Sequence, residues 1–179
     1  MARRSGSFPT LLVLAATALL GFTVLRHNGI SIGGNHNDPD DQSQATVTRV
    51  VDGDTLVVQL GEAEEHVRLI GIDTPESVAP DQPVECYGPE ASHRLAELIP
   101  VGTVIRLERD IEPRDQYDRL LAYVYRVDDN LLLNRDQVAN GFAEAKEFPP
   151  NTALADDLEA AEAAARSAGS GMWSACPPP

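Results

Sequence analysis

Lysine is nearly missing from this chain. Lys146 is the only one, and every other basic residue apart from four histidines is an arginine. Lysine and arginine together number 14 against 28 aspartates and glutamates, which leaves a formal net charge of -14. That balance excludes a broad basic face that holds a polyanion by long-range attraction. Any grip on phosphate has to be local, through a few arginines or a metal ion. Cysteine is scarce too, with Cys86 and Cys176 alone, and neither His66 nor His93 belongs to a His/Cys cluster of the kind that zinc needs. No internal repeat is visible, which excludes a repeat architecture. What is present is a 42% hydrophobic composition over 179 residues, enough for one domain with a packed core plus a tail.

The N-terminus carries a targeting pattern. Arg3 and Arg4 precede an uncharged run from Phe8 to Leu25. Its length lies at the lower edge of the about 17–25 residues that span a bilayer. Basic residues on its N-side favour an N-inside orientation. Ala16-Thr17-Ala18 resembles a cleavage site, but apolar residues continue past it. The reading is therefore a signal anchor over 1–26, with a cleaved signal peptide second and a buried core helix third. Either of the first two puts the remainder outside the cytoplasm, on the cell membrane or secreted. There a lone cysteine pair most simply forms one disulfide, Cys86 to Cys176, between mid-domain and tail. Residues 27–44 are polar and rich in Gly, Asn and Asp, and are read as a linker. The domain is expected over 45–176, with a tail at 177–179.

Within the domain, Ala45–Val51, Leu56–Leu60 and Val67–Ile70 are short Val/Leu/Ile-rich runs separated by Asp52-Gly53-Asp54 and Gly61-Glu62, a strand meander. Pro89–Ile99 is helical, with Pro89 suited to the first turn and Ala91, Leu95 and Leu98 on one face. Thr103–Arg109 and Leu120–Val127 are two further strands. Leu133–Asn140 and Ala153–Ala168 are helices that stop at Gly141 and Gly169. The expected fold is α+β: a five-stranded OB-like Greek-key barrel, its strands in antiparallel order, packed with three helices and preceded by an N-terminal hydrophobic helix.

Three segments carry chemistry. They are Val51-Asp52-Gly53-Asp54-Thr55, the strand end Arg68-Leu69-Ile70-Gly71-Ile72-Asp73-Thr74-Pro75-Glu76, and Asp115-Gln116-Tyr117-Asp118-Arg119 opening a strand. Singly, the first is a turn, the second a capped turn entry and the third a solvated arginine. Together, in this order and at these spacings, they resemble the thermonuclease family, the staphylococcal nuclease-like domains. Tyr87-Gly88-Pro89-Glu90-Ala91 and Met172-Trp173-Ser174 extend the resemblance over essentially Ala45 to Trp173.

The resemblance implies roles. Asp54, Asp73 and the Thr74 carbonyl would bind Ca²⁺, a hard ion that takes 6–8 oxygen ligands. Asp52 would act on it through water. Glu76 would orient or deprotonate the attacking water, and Arg68 and Arg119 would grip the phosphate. Tyr117 would contact a terminal phosphate. These types suit the chemistry. Guanidinium groups bind phosphate oxygens in pairs and keep their charge. A weakly basic carboxylate needs water that is already positioned. The chain departs from the family pattern at Asp118, where glycine is common, and at Gln116, where lysine is common. In the late loop Lys146-Glu147-Phe148-Pro149-Pro150-Asn151, only Phe148 can stack on a base. Trp173 is read as a packing anchor.

The expected function is a calcium-dependent extracytoplasmic nuclease, acting as a monomer on DNA or RNA. A catalytically weak binding module of the same fold is the alternative. It has no need to keep Asp54, Asp73, Arg68, Glu76 and Arg119 together. A calcium-binding structural domain explains the carboxylates but not the arginines.

Overall fold

The structure is a computed structural model that describes residues 42–77 and 83–177. The N-terminal hydrophobic segment over 1–26, the linker up to residue 41 and the last two residues of the tail lie outside the described residues. Among the described residues no helix is long and apolar enough to cross a membrane.

Strand β1 (Gln42–Asp52) begins three residues before the predicted start. Gln42, Ser43 and Gln44 have no apolar pattern, but they lie opposite Glu108, Leu107 and Arg106. Backbone pairing holds them, and it is blind to side-chain polarity. The chain continues through β2 (Thr55–Leu60), β3 (Ala63–Leu69) and the two-residue β4 (Ile72–Asp73). Helix α1 (Gly88–Leu98) follows, then β5 (Val104–Glu108) and β6 (Leu120–Arg126). The short β7 (Leu131–Leu132) leads into α2 (Leu133–Ala139), and β8 (Glu144–Ala145) precedes α3 (Ala155–Ala168) and the one-turn α4 (Met172–Ala175).

The sheet runs β3-β2-β1-β5-β6-β7, and β3 also pairs with β6. That last pairing closes five strands into a barrel. It is parallel, with Val67 opposite Leu120 and Arg68 opposite Leu121. The antiparallel order expected for all five strands therefore fails at the closure. A barrel that returns to its third strand after a helix and two more strands meets it running the same way.

The period-two pattern of β3 sends Val67 and Leu69 into the core and leaves Arg68 half-buried on the other face. On β6 the alternation breaks down, since Tyr123 and Val124 are both buried. Helices cover one face of that strand while the barrel interior covers the other. Leu95 and Ile99 of the α1 region, Leu133 and Val138 of α2, and Leu158 of α3 join the barrel side chains in one core. Each fully buried leucine contributes about 1.5–3 kcal/mol, more than the 0–1 kcal/mol typical of an exposed ion pair, so the core fixes the frame on which the charged residues sit.

Two polar side chains of α2 are also fully buried. Asn134 accepts from the Val124 amide at 2.9 Å and donates to the Ile70 carbonyl at 2.8 Å. Gln137 donates to the carbonyls of Gly53 at 2.7 Å and Ala91 at 3.1 Å. These bonds reach backbone groups of β6, of the turns that follow β1 and β3, and of α1. The second one pins the Asp52–Asp54 turn to α1.

Candidate active site

The parallel closure sets the site. It brings Arg68 on β3 and Arg119, one residue before β6, to one cleft of about 610 Å³. Asp73, Asp115, Tyr117, Lys146 and Phe148 also line it. Pairing of β4 with β8 places Ile72 opposite Ala145 and Asp73 opposite Glu144. It thereby carries the Lys146–Asn151 loop to the cleft wall.

Asp54 is buried at the head of β2. Its Oδ2 accepts from the Thr74 amide at 3.1 Å and the Thr74 hydroxyl at 3.0 Å, and its Oδ1 accepts from the Thr55 hydroxyl. Arg68 Nη1 stands 3.0 Å from the same Oδ2, and Arg68 Nη2 donates to Asp73 Oδ1 at 3.0 Å. One guanidinium therefore spans both carboxylates, while also donating to the carbonyls of Leu69 and Ile72. Burial raises the Asp54 pKa above its ordinary value, although Arg68, Thr74 and Thr55 all pull the other way.

Gly53 makes the turn possible. A Cβ there would fall 2.8 Å from the Ala91 Cβ and 2.9 Å from the Thr74 Cγ2. Any side chain would push the Asp54 turn away from Thr74.

Asp52, implied to act through water, is buried beside the same turn. Its Oδ1 accepts from the Gly53 amide and from the hydroxyls of Ser77 and Ser92, each at 2.7 Å. It knits the Glu76 segment to α1. Thr74, implied as a carbonyl ligand, donates to Asp54 through its amide and hydroxyl, groups other than that carbonyl. Glu76 follows on the same segment, half-buried.

Arg119 is held by Asp115, whose Oδ2 accepts from Nε at 2.6 Å and whose Oδ1 accepts from the amides of Tyr117 and Arg119. Burial alone would raise the Asp115 pKa, but the Arg119 amide and guanidinium and the Tyr117 amide outweigh it and hold the pKa below the ordinary value of 3.8. A depressed pKa means stability that is present above about 3.8 and lost as pH falls through the folded value. Asp115→Asn is expected to flatten the acid limb of a urea-stability curve below that pH, by about 1 kcal/mol or less. An unchanged limb would show that the pair is not coupled to folding.

Asp118 adopts a left-handed φ of 66°. Its carboxylate lies 3.5 Å from Arg114, which also donates to the Asp118 carbonyl and forks onto Glu65. The extra charge at this position is thus aimed at Arg114, and Asp115 is the partner of Arg119.

Tyr117 is largely exposed, with its ring 5.5 Å from the Arg119 guanidinium carbon. The Phe148 ring lies 5.7 Å from both the Arg68 guanidinium carbon and Lys146 Nζ. Lys146 donates to Asp73 Oδ2 at 2.6 Å, so Asp73 is gripped by Arg68 on one oxygen and Lys146 on the other. No short-range signal foretold that pair. Three cationic side chains in the cleft wall face four carboxylates, those of Asp73, Glu112, Asp115 and Glu147. Even locally, the wall is not basic.

A family model described as staphylococcal nuclease homologue matches residues 66–175. The chain belongs to the staphylococcal nuclease family. It is 40% identical over 127 residues to a thermonuclease of Staphylococcus intermedius, covering 71% of this chain and 74% of that one. It is 32% identical over 164 residues to a thermonuclease of Staphylococcus hyicus, covering 92% and 95%. Endonuclease YncB of Bacillus subtilis is 37% identical over 131 residues, which is 72% of this chain and 61% of that protein. In this staphylococcal nuclease homologue Cys86 and Cys176 form a disulfide across 90 residues. Trp173 carries the Arg166 guanidinium 3.6 Å above its ring, at the foot of the tail.

Proposed function

We propose that this enzyme is a calcium-dependent nuclease that hydrolyses the phosphodiester bonds of DNA or RNA outside the cytoplasm. The observation that carries the reading is the Arg68 guanidinium lodged between Asp54 and Asp73 beside a cleft that Arg119 shares.

The donor set suits a hard dication. Among the described residues no three His, Cys, Asp or Glu side chains are grouped to hold a metal by themselves. Asp54 and Asp73 supply two carboxylates, and the Thr74 carbonyl and water complete an oxygen set of the mixed kind that Ca²⁺ accepts. Arg68 already pairs with buried Asp54, and such an ion would add positive charge beside them. Bound there, Ca²⁺ would supply a Lewis-acid contact that offsets the negative charge of the phosphodiester.

The protein's own groups do the rest. Glu76 takes a proton from the attacking water, whose oxygen forms a bond to phosphorus as the ester P–O bond breaks. The leaving oxygen then picks up a proton. Negative charge builds on the phosphate oxygens during this exchange, and Arg68 and Arg119 donate to them. Asp115 occupies the Nε edge of Arg119 and fixes its plane. Tyr117 and Phe148 border the cleft where a terminal phosphate and a base would rest.

The disulfide agrees with an oxidising compartment, and the Phe8–Leu25 run would deliver the domain there. Nuclease assays of the full-length chain on DNA and RNA, with Ca²⁺ or with chelator, test the reading. Activity should vanish in chelator and return with Ca²⁺. Activity that persists unchanged in chelator would overturn the metal dependence. Protease accessibility on intact cells tests the location.

A further inference from the structure

The segment that bears Glu76 is fastened at its backbone, and residue 85 supplies two of the bonds, one of them through its side chain. The Glu76 amide donates to Glu85 Oε2 at 2.9 Å, and the Glu85 amide donates to the Glu76 carbonyl at 2.8 Å. Residue 85 thus holds residue 76 at both its amide and its carbonyl, in the two peptide units that flank its Cα. The approach is close enough to demand glycine nearby: a Cβ on Gly88 would come within 2.5 Å of the Glu76 carbonyl oxygen. The Gly88 amide donates to the Glu85 carbonyl at 3.1 Å and closes the turn.

That turn is anchored twice. Cys86 is bonded to Cys176 beyond α4, and the Tyr87 ring packs 5.3 Å from that of Phe142. The clamp therefore rests on a post fixed to the far end of the chain. Below it, Ser77 and Ser92 hold the next residue of the segment to Asp52.

We propose that Glu85 is a positioning residue for hydrolysis. It holds the Glu76 carboxylate at the reacting water, and the Cys86–Cys176 bond keeps it in place. The inference rests on the proposed role of Glu76. A carboxylate on a segment held at only one end samples positions away from the water, and misplacement by about 1 Å costs on the order of a hundredfold in rate. Substrate binding through the two arginines does not depend on this clamp, so the loss falls on kcat.

Steady-state kinetics of the full-length chain on a DNA oligonucleotide at saturating Ca²⁺ test this. Glu85→Ala is expected to lower kcat by on the order of tenfold to a hundredfold and to leave KM within about twofold of wild type. Glu85→Gln keeps an oxygen for the Glu76 amide and is expected to restore most of kcat. An unchanged kcat in Glu85→Ala, a loss confined to KM, or a Glu85→Gln variant as impaired as the alanine would each overturn the proposal. Should Glu85→Ala not fold, wild type treated with dithiothreitol and then iodoacetamide gives the second measurement, at a temperature where circular dichroism shows it folded. A kcat-selective loss is expected, and an unaltered kcat overturns the tether. Glu76→Gln separates the two layers. If it turns over like wild type, the role of Glu76 falls. If it is inactive while Glu85→Ala is normal, only the clamp falls.

Discussion

Arg68→Ala is expected to lower kcat/KM on DNA by about 100- to 1,000-fold, and to weaken the fold in the same stroke. The two effects share one cause. The Arg68 side chain is 12% exposed and spans Asp54 and Asp73, so its removal deletes a donor to the phosphate and strands a buried carboxylate. Breaking a buried pair by removing one partner costs about 3–5 kcal/mol. Asp73 is 40% exposed and keeps Lys146, which points to the lower end of that range. Calcium distinguishes the two effects. On the proposed calcium role, a dication held by Asp54 and Asp73 would replace the lost charge, so thermal melts of Arg68→Ala should recover with Ca²⁺ more than wild type gains, while activity stays low. Arg68→Lys should retain more stability than alanine yet little more activity, because an ammonium cannot fork across two carboxylates. Wild-type kcat/KM in the alanine variant would remove Arg68 from the reaction.

Cys176→Ser is expected to cost roughly 4–5 kcal/mol of stability in the chain-entropy model. The bond closes a loop with a sequence separation of 90, which encloses every element from α1 to α4. Cutting it returns that whole stretch to an unconstrained denatured ensemble. A domain of this size should lose roughly 15 °C of melting temperature, and wild type reduced with dithiothreitol should melt with the variant. A shift below about 5 °C would mean that structure remaining in the denatured chain already restrains the loop.

The main elements were legible in the sequence because they are long enough to show a period. β2 and β6 are rich in Val, Leu and Tyr, and α1 and α3 carry apolar residues at helical spacing. The two-residue strands β4 and β8 show no period, yet their pairing brings Lys146 to Asp73. The parallel closure was hidden for a different reason: strand direction at a barrel seam follows from topology, and residue types do not encode it. Asn134 and Gln137 look like solvent-facing helix residues, since nothing in a short window marks a polar side chain that serves distant backbone groups. The candidate site was legible only through resemblance. Arg68, Asp73, Tyr117, Arg119 and Phe148 do meet at one cleft. The partners of Asp52, the hydroxyls of Ser77 and of Ser92 on α1, were not legible, because they come from segments 25 and 40 residues away. The aim of Asp118 was likewise unreadable, as it depends on Arg114 and its fork onto Glu65.

The near-absence of lysine has a practical side. The single ε-amine of the chain sits in the cleft wall, 2.6 Å from Asp73. An amine-reactive ester therefore finds two kinds of target, the chain's own amino terminus and Lys146. A fluorophore or affinity tag attached at the side chain becomes a reporter seated beside the reacting groups without any engineering. By the same token, random amine coupling to a solid support is not random for this protein: every side-chain linkage blocks the cleft.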